Sequence, residues 1–485
     1  MEAAATSSPI KARRVAVIGA GITGLAAGYR LRELAAAREV PLEVTLVERS
    51  QRVGGPLESI RRDGFVIETG ADSFLSEKPE ARALAQRLGI DSELIPTREE
   101  FRRTLIVRNG RLVEIPEGFS LMAPTRLGPV LRSELFSPLG KMRIALEPLI
   151  PARRADGEES LASFVRRRLG NEVLDRVAQA LAGGIYTADP EQLSLSATMP
   201  RFIEMERRYG SVYKGLRAAE RARTSMSKGT SGARWNLFLS FRSGVGILPE
   251  TLAAKLGGCI RTGTEVRSIA REGDFWRVTF IDGTSEDADA VICTVPAHAA
   301  SPILSASLEP LARVLGEISY ASAAVVNLVY RETNFPTHPR SFGFVVPIAE
   351  HRRIIAGSFS NLKYENRAPE GFISARAFIG GVLQTDMMRL SDDEMIAAAR
   401  DEFRALLKVE AEPQFASVRR WPLAMPQYVV GHLARVAEIE RLAEGVPAFA
   451  LAGAAYRGVG IPDCIRSGEQ AAEKILAHLA PAQVA

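Results

Sequence analysis

A glycine-rich motif near the N-terminus constrains the fold of this chain more than any other feature. Residues 15–18, VAVI, form the short apolar run expected of a buried parallel strand, and residues 19–24, GAGITG, follow directly. Residues 25–37 are rich in Ala and Leu, as in a helix, and residues 43–48 form a second strand that ends in Glu48. A GxGxxG turn in a strand–turn–helix–strand unit, with an acid about twenty residues on, predicts a dinucleotide-binding domain.

The three glycines of the motif have separate roles in such a turn. Gly19 permits the tight bend, Gly21 lets the backbone approach a pyrophosphate, and Gly24 lets helix and strand pack closely. The helix N-terminus faces the phosphates, and Glu48 can accept hydrogen bonds from a ribose. Residues 48–55, ERSQRVGG, resemble the extension typical of FAD-binding amine-oxidase-type flavoproteins. Since no second GxGxxG is present, FAD is favoured over a nicotinamide cofactor.

Composition excludes several other classes of protein. Hydrophobic residues make up 46% of the 485 residues and charged residues 25%, as in soluble globular proteins. No apolar run approaches the ~20 residues of a membrane-spanning helix. Residues 1–12 lack an apolar core, so we expect a frayed tail there and no secretory signal. The three Cys are far apart and the five His show no ligand spacing, which excludes a metal site and fits a reducing compartment.

The remaining strands and helices predict domains that are interleaved along the chain. Strand-like runs recur at 63–75, 258–295 and 446–452, and the last precedes a second Gly-rich turn and a helix. We therefore expect an α/β protein in which a Rossmann-type FAD-binding domain is interleaved with a mixed-sheet substrate domain and a helical insertion. The predicted ranges are 13–95, 242–299 and 416–480 for the FAD-binding domain, 96–215 for a helical membrane-associating insertion, and 216–241 with 300–415 for the substrate domain. Within the substrate domain, Ser391 and Glu394 predict a capping box at the start of a helix.

Seven segments between residues 13 and 478 together resemble the oxygen-dependent protoporphyrinogen oxidases. The most specific are GGIYTADPEQLS (183–194) and RWPLAMPQY (420–428) with GHL (431–433). The others are GAGITG (19–24), ETGADSFL (68–75), RRYGSVYKG (207–215) and GVGIPDCIRSG (458–468).

This resemblance implies a function for the chain. The family oxidises protoporphyrinogen IX to protoporphyrin IX in haem biosynthesis by three two-electron steps, each a hydride transfer to flavin N5 followed by reoxidation by oxygen. No catalytic side chain and no metal is implied, and the FAD is bound without a covalent link. His432 lies within one of these segments, so it is a slightly better candidate for a functional role than the other histidines.

The resemblance also implies which residues bind the cofactor and the substrate. The implied FAD contacts are Gly19, Ala20, Gly21, Ile22, Thr23, Gly24, Glu48, Arg49, Pro56, Gly70, Ala71, Asp72, Ser73, Val266, Trp421, Val459, Gly460 and Ile461. The implied substrate contacts are Arg103, for a propionate, and Gly184, Val345 and Phe378, for the macrocycle. Arg103 is preferred to Arg102, although the spacing is one residue longer than usual. Asp72 stands where the family often has Asn, which could change substrate orientation or tune the flavin.

Alternative functions are kept open. A coproporphyrinogen III oxidase of the same fold is the first, since apolar Val345 and Phe378 favour vinyl groups over extra propionates but do not exclude the latter. Another amine-oxidase-type flavoenzyme, such as a carotenoid desaturase or polyamine oxidase, is the second. A non-catalytic flavin- or tetrapyrrole-binding protein is the third. The cations that would favour coproporphyrinogen, if they face the cavity, are Arg352, Arg353, Lys363 and Arg367.

Charge predicts a partner for the helical insertion. The net charge is +5, and Lys and Arg outnumber Asp and Glu over residues 101–230. With the apolar stretches FSLMAP (119–124) and LRSELFSPL (131–139), this excess predicts peripheral attachment to the cytoplasmic membrane. No nucleic-acid-binding motif accompanies the charge. A homodimer and transfer of product to the chelatase that follows are further expectations.

Overall fold

A computed structural model describes residues 12–154, 157–226 and 237–479 of the chain. Of the tail predicted over residues 1–12, all but Ala12 lies outside the described residues, as do residues 227–236 of the segment predicted for the substrate domain and residue 480. Within the described ranges, no helix is long and apolar enough to cross a bilayer.

A five-stranded parallel sheet, here called the nucleotide sheet, contains the strand that precedes the Gly-rich turn. That strand lies in the middle, and both of its faces are covered: Val15 and Val17 pack into one apolar cluster, Ala16 and Ile18 into another. Its neighbours come from distant parts of the chain, as the interleaved prediction requires. In order across the sheet the strands are Ile260–Arg261, Leu42–Val47, Arg13–Ile18, Ala290–Cys293 and Phe449–Leu451.

Two helices pack closely against this sheet. Ile22–Ala37 follows the Gly-rich turn, and Ile461–Leu479 follows the second Gly-rich turn, as predicted. The helices approach so closely that a Cβ on Gly468 would lie 2.3 Å from the carbonyl oxygen of Thr23. The two Gly-rich turns are therefore held side by side at the carboxyl ends of the strands, where open α/β sheets bind their ligands.

A seven-stranded mixed sheet, here called the large sheet, forms the second layer. One face packs on the helix Asp392–Leu407, whose Ser391–Glu394 capping box is confirmed. The opposite face carries Val345, Arg376 and Phe378. In order, the strands are Phe415–Pro426, Tyr320–Arg331, Phe372–Gly380, Ala356–Phe359, Gly343–Val345, Thr104–Arg108 and Arg111–Glu114.

The large sheet includes residues outside the range predicted for the substrate domain. Its last two strands are a hairpin at the start of the predicted helical insertion, and its first strand lies in the range given to the FAD-binding domain. The hairpin turns at Asn109 and Gly110, which both have positive φ, 49° and 72°. This is the two-residue turn that Asn-Gly favours, so the boundary of the helical part moves from residue 96 to the helices that begin at Leu127.

The insertion from Leu127 to Met226 is helical and is organised around a buried ion pair. Arg168 and Glu147 have no exposed surface, and Arg168 Nε donates to Glu147 Oε1 at 2.8 Å. Glu147 also accepts from the backbone N–H of Val212 at 2.9 Å, at the start of a long helix. The helices and helical turns here are Leu127–Arg132, Pro138–Ala145, Glu147–Leu149, Leu161–Leu169, Asn171–Val173, Leu174–Ala178, Gln179–Tyr186, Leu195–Thr198, Pro200–Tyr209 and Val212–Met226.

The remaining elements connect these layers. The smaller sheets are Ser59–Arg62 with Phe65–Glu68; Phe119–Ser120 with Ala123–Pro124; Phe74–Leu75 with Phe238–Phe241 and Leu94–Pro96; and Val266–Glu272 with Phe275–Phe280 and Ser285–Ala288. The remaining helices and helical turns are Glu80–Leu88, Asp91–Glu93, Glu99–Phe101, Ile247–Leu256, Gly257–Cys259, Ala297–Leu304, Glu309–Gly316, Glu332–Asn334, Ile348–Glu350, Ser360–Lys363, Thr385–Arg389 and His432–Glu444.

Candidate functional site

The Gly-rich turn leaves its helix N-terminus free for an anion. Gly19 has φ of +99°, and a Cβ on Gly24 would lie 1.9 Å from the Gly19 carbonyl oxygen, so neither position accepts a side chain. Nothing lies within 4 Å of a Cβ on Gly21, which opens the backbone to an approaching group. The helix has no side-chain cap and no acid in its first turn. Its first N–H groups are therefore available to a phosphate.

Glu48 is fixed beside this turn. Its carboxylate accepts hydrogen bonds from the backbone N–H of Ala20 and of Ser50, both at 2.9 Å, and from Ser50 Oγ at 2.8 Å. The glycine pair Gly54-Gly55 also reaches the turn, because the N–H of Gly54 donates to the Ala20 carbonyl at 2.8 Å. An open anion-binding helix end next to a fixed acid suits the pyrophosphate and ribose of a dinucleotide, so the residues fit FAD.

The segment 70–78 joins the Gly-rich turns to the large sheet. Gly70 lies against Pro56, whose carbonyl oxygen would be 2.1 Å from a Cβ there. From the large sheet, Trp421 Nε1–H donates to the Thr69 carbonyl at 2.7 Å. At the other end, Lys78 Nζ lies 2.5 Å from Asp463 Oδ2, at the start of the C-terminal helix. The structure thus brings the turn at 70–73 together with Pro56, Trp421 and the second Gly-rich turn.

Other residues implied as FAD contacts lie around this centre. Arg49 and Ala71 are exposed, and Ser73 Oγ donates to Asp72. Val266 begins a strand just after Thr264, whose N–H donates to the Glu48 carbonyl at 2.9 Å. Their contacts with the cofactor stay a prediction.

A buried tyrosine holds the second Gly-rich turn in place. Tyr428 O–H donates to the Ala454 carbonyl at 2.6 Å and accepts from the N–H of Gly458 at 2.8 Å. His432 stacks on the Tyr428 ring with centroids 4.0 Å apart, and its Nε2–H donates to the Tyr456 carbonyl at 2.9 Å. Burial lowers the pKa of His432, which favours the neutral ring. His432 therefore supports Tyr428, and Tyr428 shapes the turn that presents Val459, Gly460 and Ile461.

Asp72 is held by two cations, Lys363 from the helical turn Ser360–Lys363 and Arg376 from the large sheet. Lys363 Nζ donates to both carboxylate oxygens, at 2.9 and 3.0 Å, and Arg376 Nη1 lies 3.2 Å from Oδ2. Burial alone would raise the pKa of Asp72, but the charges of Lys363 and Arg376 lower it below its ordinary value. The carboxylate is therefore ionised throughout the neutral range.

Three of the four implied substrate residues lie on one face of the large sheet or against it. Val345 is paired across Ala356 with Phe378, so that all three side chains point to the same face. A Cβ on Gly184 would lie 3.7 Å from Val345 Cγ1. Phe378 also lies under the guanidinium of Arg376, 4.9 Å from the ring centroid, next to Asp72.

Arg103 does not join this group. Its Nε lies 3.7 Å from Glu114 Oε1, and Glu114 is paired with Leu105, which packs on the opposite face from Val345. Arg102 precedes the strand, at the end of the helical turn Glu99–Phe101 with ψ of 61°, so the alternation of the strand does not assign its side chain to either face. Because Arg103 is paired with Glu114, Arg102 is the alternative cation for a propionate, and the choice between them stays a prediction.

The other cations considered from sequence divide into two groups. Arg352 and Arg353 pair with Glu402 and Asp401 on the helix that covers the far face. Lys363 reaches Asp72, and Arg367 is buried 3.6 Å from Glu68. Sequence reasoning missed Arg376 and Tyr428 altogether. The PQY segment contained Tyr428, but only the fold shows its contact with the Gly-rich turn.

Cys464 lies just after the second Gly-rich turn and is buried. It is a free cysteine in the C-terminal helix, and burial raises its pKa to about 12. A non-covalent FAD stays a prediction that acid precipitation of the protein would test. The described residues contain no cluster of three or more His, Cys, Asp or Glu that could hold a metal ion.

Comparison with known proteins gives one consistent result. The pattern of the family "Flavin containing amine oxidoreductase" matches residues 22–476. The chain is 34% identical to coproporphyrinogen III oxidase of Bacillus subtilis (strain 168), covering 96% of this chain and 98% of that protein. It is 31% identical to protoporphyrinogen oxidase of Bos taurus, covering 96% and 98%. A crystal structure from Exiguobacterium sp. 255-15, assigned provisionally as a protoporphyrinogen oxidase, superposes with a TM-score of 0.84 at 28% identity, covering 96% and 99%.

Replacing Tyr428 by Phe is expected to weaken FAD binding. The change leaves the Ala454 carbonyl and the Gly458 N–H without a buried partner, at a cost of about 1–3 kcal/mol, and loosens the turn. The dissociation constant for FAD, measured by titrating the apoprotein, reports the effect. Tyr456→Phe is the matched control, because the Tyr456 hydroxyl is buried without a hydrogen-bond partner. Equal affinities for the two variants would contradict this role of Tyr428.

Proposed function

The chain belongs to the flavin containing amine oxidoreductases, and we propose that within this family it is an FAD-dependent porphyrinogen oxidase whose preferred substrate is coproporphyrinogen III. The observation that carries the proposal is the similarity to the Bacillus subtilis coproporphyrinogen III oxidase over nearly the full length of both proteins. The similarity to the bovine protoporphyrinogen oxidase supports the same reaction on a related substrate. Haem biosynthesis is the corresponding pathway.

The preference for coproporphyrinogen III departs from the sequence-based preference for protoporphyrinogen IX. That preference rested on the apolar side chains of Val345 and Phe378, which suit the macrocycle of either substrate. Two observations support coproporphyrinogen III. The first is that the chain is 34% identical to the bacterial coproporphyrinogen III oxidase and 31% identical to the bovine protoporphyrinogen oxidase. In addition, Arg102 is exposed and makes no ion pair among those of the described residues, whereas Arg103 is paired with Glu114. A second pair of propionates needs such cations.

Segment 98–103 runs beside Asp72 and its two cations, Lys363 and Arg376, which supports a propionate site there. The N–H of Arg98 donates to the Lys363 carbonyl at 3.0 Å, and Lys363 in turn holds Asp72. Arg102 would therefore bind a propionate near the candidate substrate face. The chain's own residues orient and enclose the macrocycle, since Val345, Phe378 and Gly184 offer apolar or small surfaces. Bound FAD would supply the two-electron acceptor, with oxygen as the final oxidant.

We also propose that the helical insertion docks on an anionic membrane surface. Leu139, Met142, Leu146 and Leu149 recur at helical spacing and are 73%, 55%, 43% and 77% exposed. The stripe is part of a rigid element, because Glu147, between its last two members, is locked to Arg168.

Charge favours a lipid surface as the occupant of this stripe. Arg132 and Arg154 are exposed nearby in the chain, and each basic residue near an anionic surface contributes roughly 1 kcal/mol. The expected stretch 119–124 does not take part, because Met122, Ala123 and Pro124 are buried in the core of the insertion. Of the stretch 131–139, Leu131 and Leu139 are exposed, while Leu135 and Phe136 are buried. A homodimer and transfer of product to a chelatase stay predictions.

The function is tested by comparing the two porphyrinogens on the purified protein. We expect both to reduce the bound FAD under anaerobic conditions, with the higher kcat/KM in air for coproporphyrinogen III. A higher kcat/KM for protoporphyrinogen IX would reverse the substrate preference. If neither compound reduces the flavin, the chain is not a porphyrinogen oxidase.

Arg102→Ala is expected to raise KM for coproporphyrinogen III with little change in kcat. A propionate remote from the reacting carbon is bound equally in the ground and transition states. Loss of a charge-assisted pair costs about 1.5–3 kcal/mol, or roughly 10- to 150-fold. Arg103→Ala is the control, since Arg103 pairs with Glu114 on the other face, and its KM should stay near that of the unaltered protein. The opposite ranking of the two variants would restore Arg103 as the substrate residue.

Membrane docking is tested by co-sedimentation with vesicles of phosphatidylglycerol and phosphatidylcholine at low salt. We expect the unaltered protein to bind and the double variant Leu139→Gln, Leu149→Gln to lose binding. The control double variant Ile60→Gln, Ile281→Gln removes two exposed apolar residues elsewhere, 41% and 50% exposed, and should bind normally. Failure of the unaltered protein to bind, or equal loss in the control, would refute the proposed surface.

A further inference from the structure

The carboxylate of Asp72 has no capacity left for a ligand. Lys363 Nζ donates to Oδ1 at 2.9 Å and to Oδ2 at 3.0 Å, Ser73 Oγ donates to Oδ1 at 2.7 Å, and Arg376 Nη1 lies 3.2 Å from Oδ2. An ionised carboxylate offers about four acceptor positions. Because the chain itself fills these positions, Asp72 is poorly suited to take a proton from a substrate.

The cations around Asp72 are equally committed. Lys363 directs its ammonium group to the two carboxylate oxygens and to Ser73 Oγ, 3.1 Å away. Arg376 has 1% of its side chain exposed, donates to the Gly70 carbonyl and lies over the Phe378 ring. Asp72, Lys363 and Arg376, here called the Asp72 cluster, therefore form a closed unit that fixes the turn at 70–73 to the large sheet.

The Asp72 cluster carries an unbalanced charge. Two cations surround one carboxylate, which leaves one net positive charge at a site that is 17% exposed at most. The neighbouring buried pair, Arg367 and Glu68, adds no net negative charge to balance it. An uncompensated charge in a poorly solvated site acts strongly on whatever lies next to it, because the local dielectric constant is low.

We infer that the Asp72 cluster sets the reduction potential of the bound flavin, with Asp72 as a positioning residue and counter-ion rather than a proton acceptor. The inference rests on the proposed location of the FAD beside the turn at 70–73. A reduced flavin carries more negative charge than an oxidised one, so a fixed positive charge raises its potential.

The experiment is an anaerobic reductive titration of the holoprotein against a reference dye. Asp72→Asn removes a negative charge and should shift the flavin midpoint potential to more positive values. Lys363→Met removes a positive charge and should shift it to more negative values, whereas Lys363→Arg should leave it near the original value. Glu402→Gln is the matched control, because it breaks a comparable ion pair with Arg352 behind the large sheet, and no shift is expected.

The direction of the shifts separates an electrostatic role from a structural one. Loosened packing would move both charge-removing variants in the same direction, and that result, or no shift, would overturn the inference. If Asp72→Asn fails to retain FAD, the difference in midpoint potential between Lys363→Met and Lys363→Arg is sufficient to test the inference. Loss of the acidic limb of the pH–rate profile in Asp72→Asn would make Asp72 a proton acceptor and would also overturn it. The titration needs no porphyrinogen, so failure of the proposed activity leaves its outcome readable.

Discussion

The two layers of this protein meet at a buried charge, and the candidate site depends on that contact. Asp72 belongs to the turn beside the nucleotide sheet, whereas Arg376 belongs to the large sheet and Lys363 to the helical turn between two of its strands. Removing ions from water is costly unless each finds well-aligned partners, so this contact tolerates little displacement of one layer against the other. On the other side, Lys78 and Asp463 tie the same segment to the C-terminal helix. The short segment 70–78 thereby fixes both walls of the site.

Local chemistry explains which parts of the fold the sequence predicted. The turn at residues 19–24 needs glycine for steric reasons that act within a few residues, so its pattern was sufficient. The capping box of Ser391 and Glu394 is local in the same way. The hairpin turn at Asn109-Gly110 has an equally local signal, but it lies at the edge of a range whose pattern is mostly helical.

The candidate site was less predictable because its contacts join distant residues. Lys363 is 291 positions from Asp72 in the sequence, and nothing near either residue indicates the pairing. The partner of Arg103 is likewise set by strand pairing, because the hairpin brings Glu114 to it.

The order of strands in the nucleotide sheet has a consequence for how the protein is made. Arg13–Ile18 takes its partner on one side from nearby Leu42–Val47, but its other partner, Ala290–Cys293, is synthesised about 275 residues later. The last strand, Phe449–Leu451, emerges from the ribosome later still. Until then the first strands present an open, apolar edge, which is prone to aggregation. Cofactor capture is therefore a late event in the life of the nascent chain, and chaperone protection of its N-terminal part is most valuable during elongation.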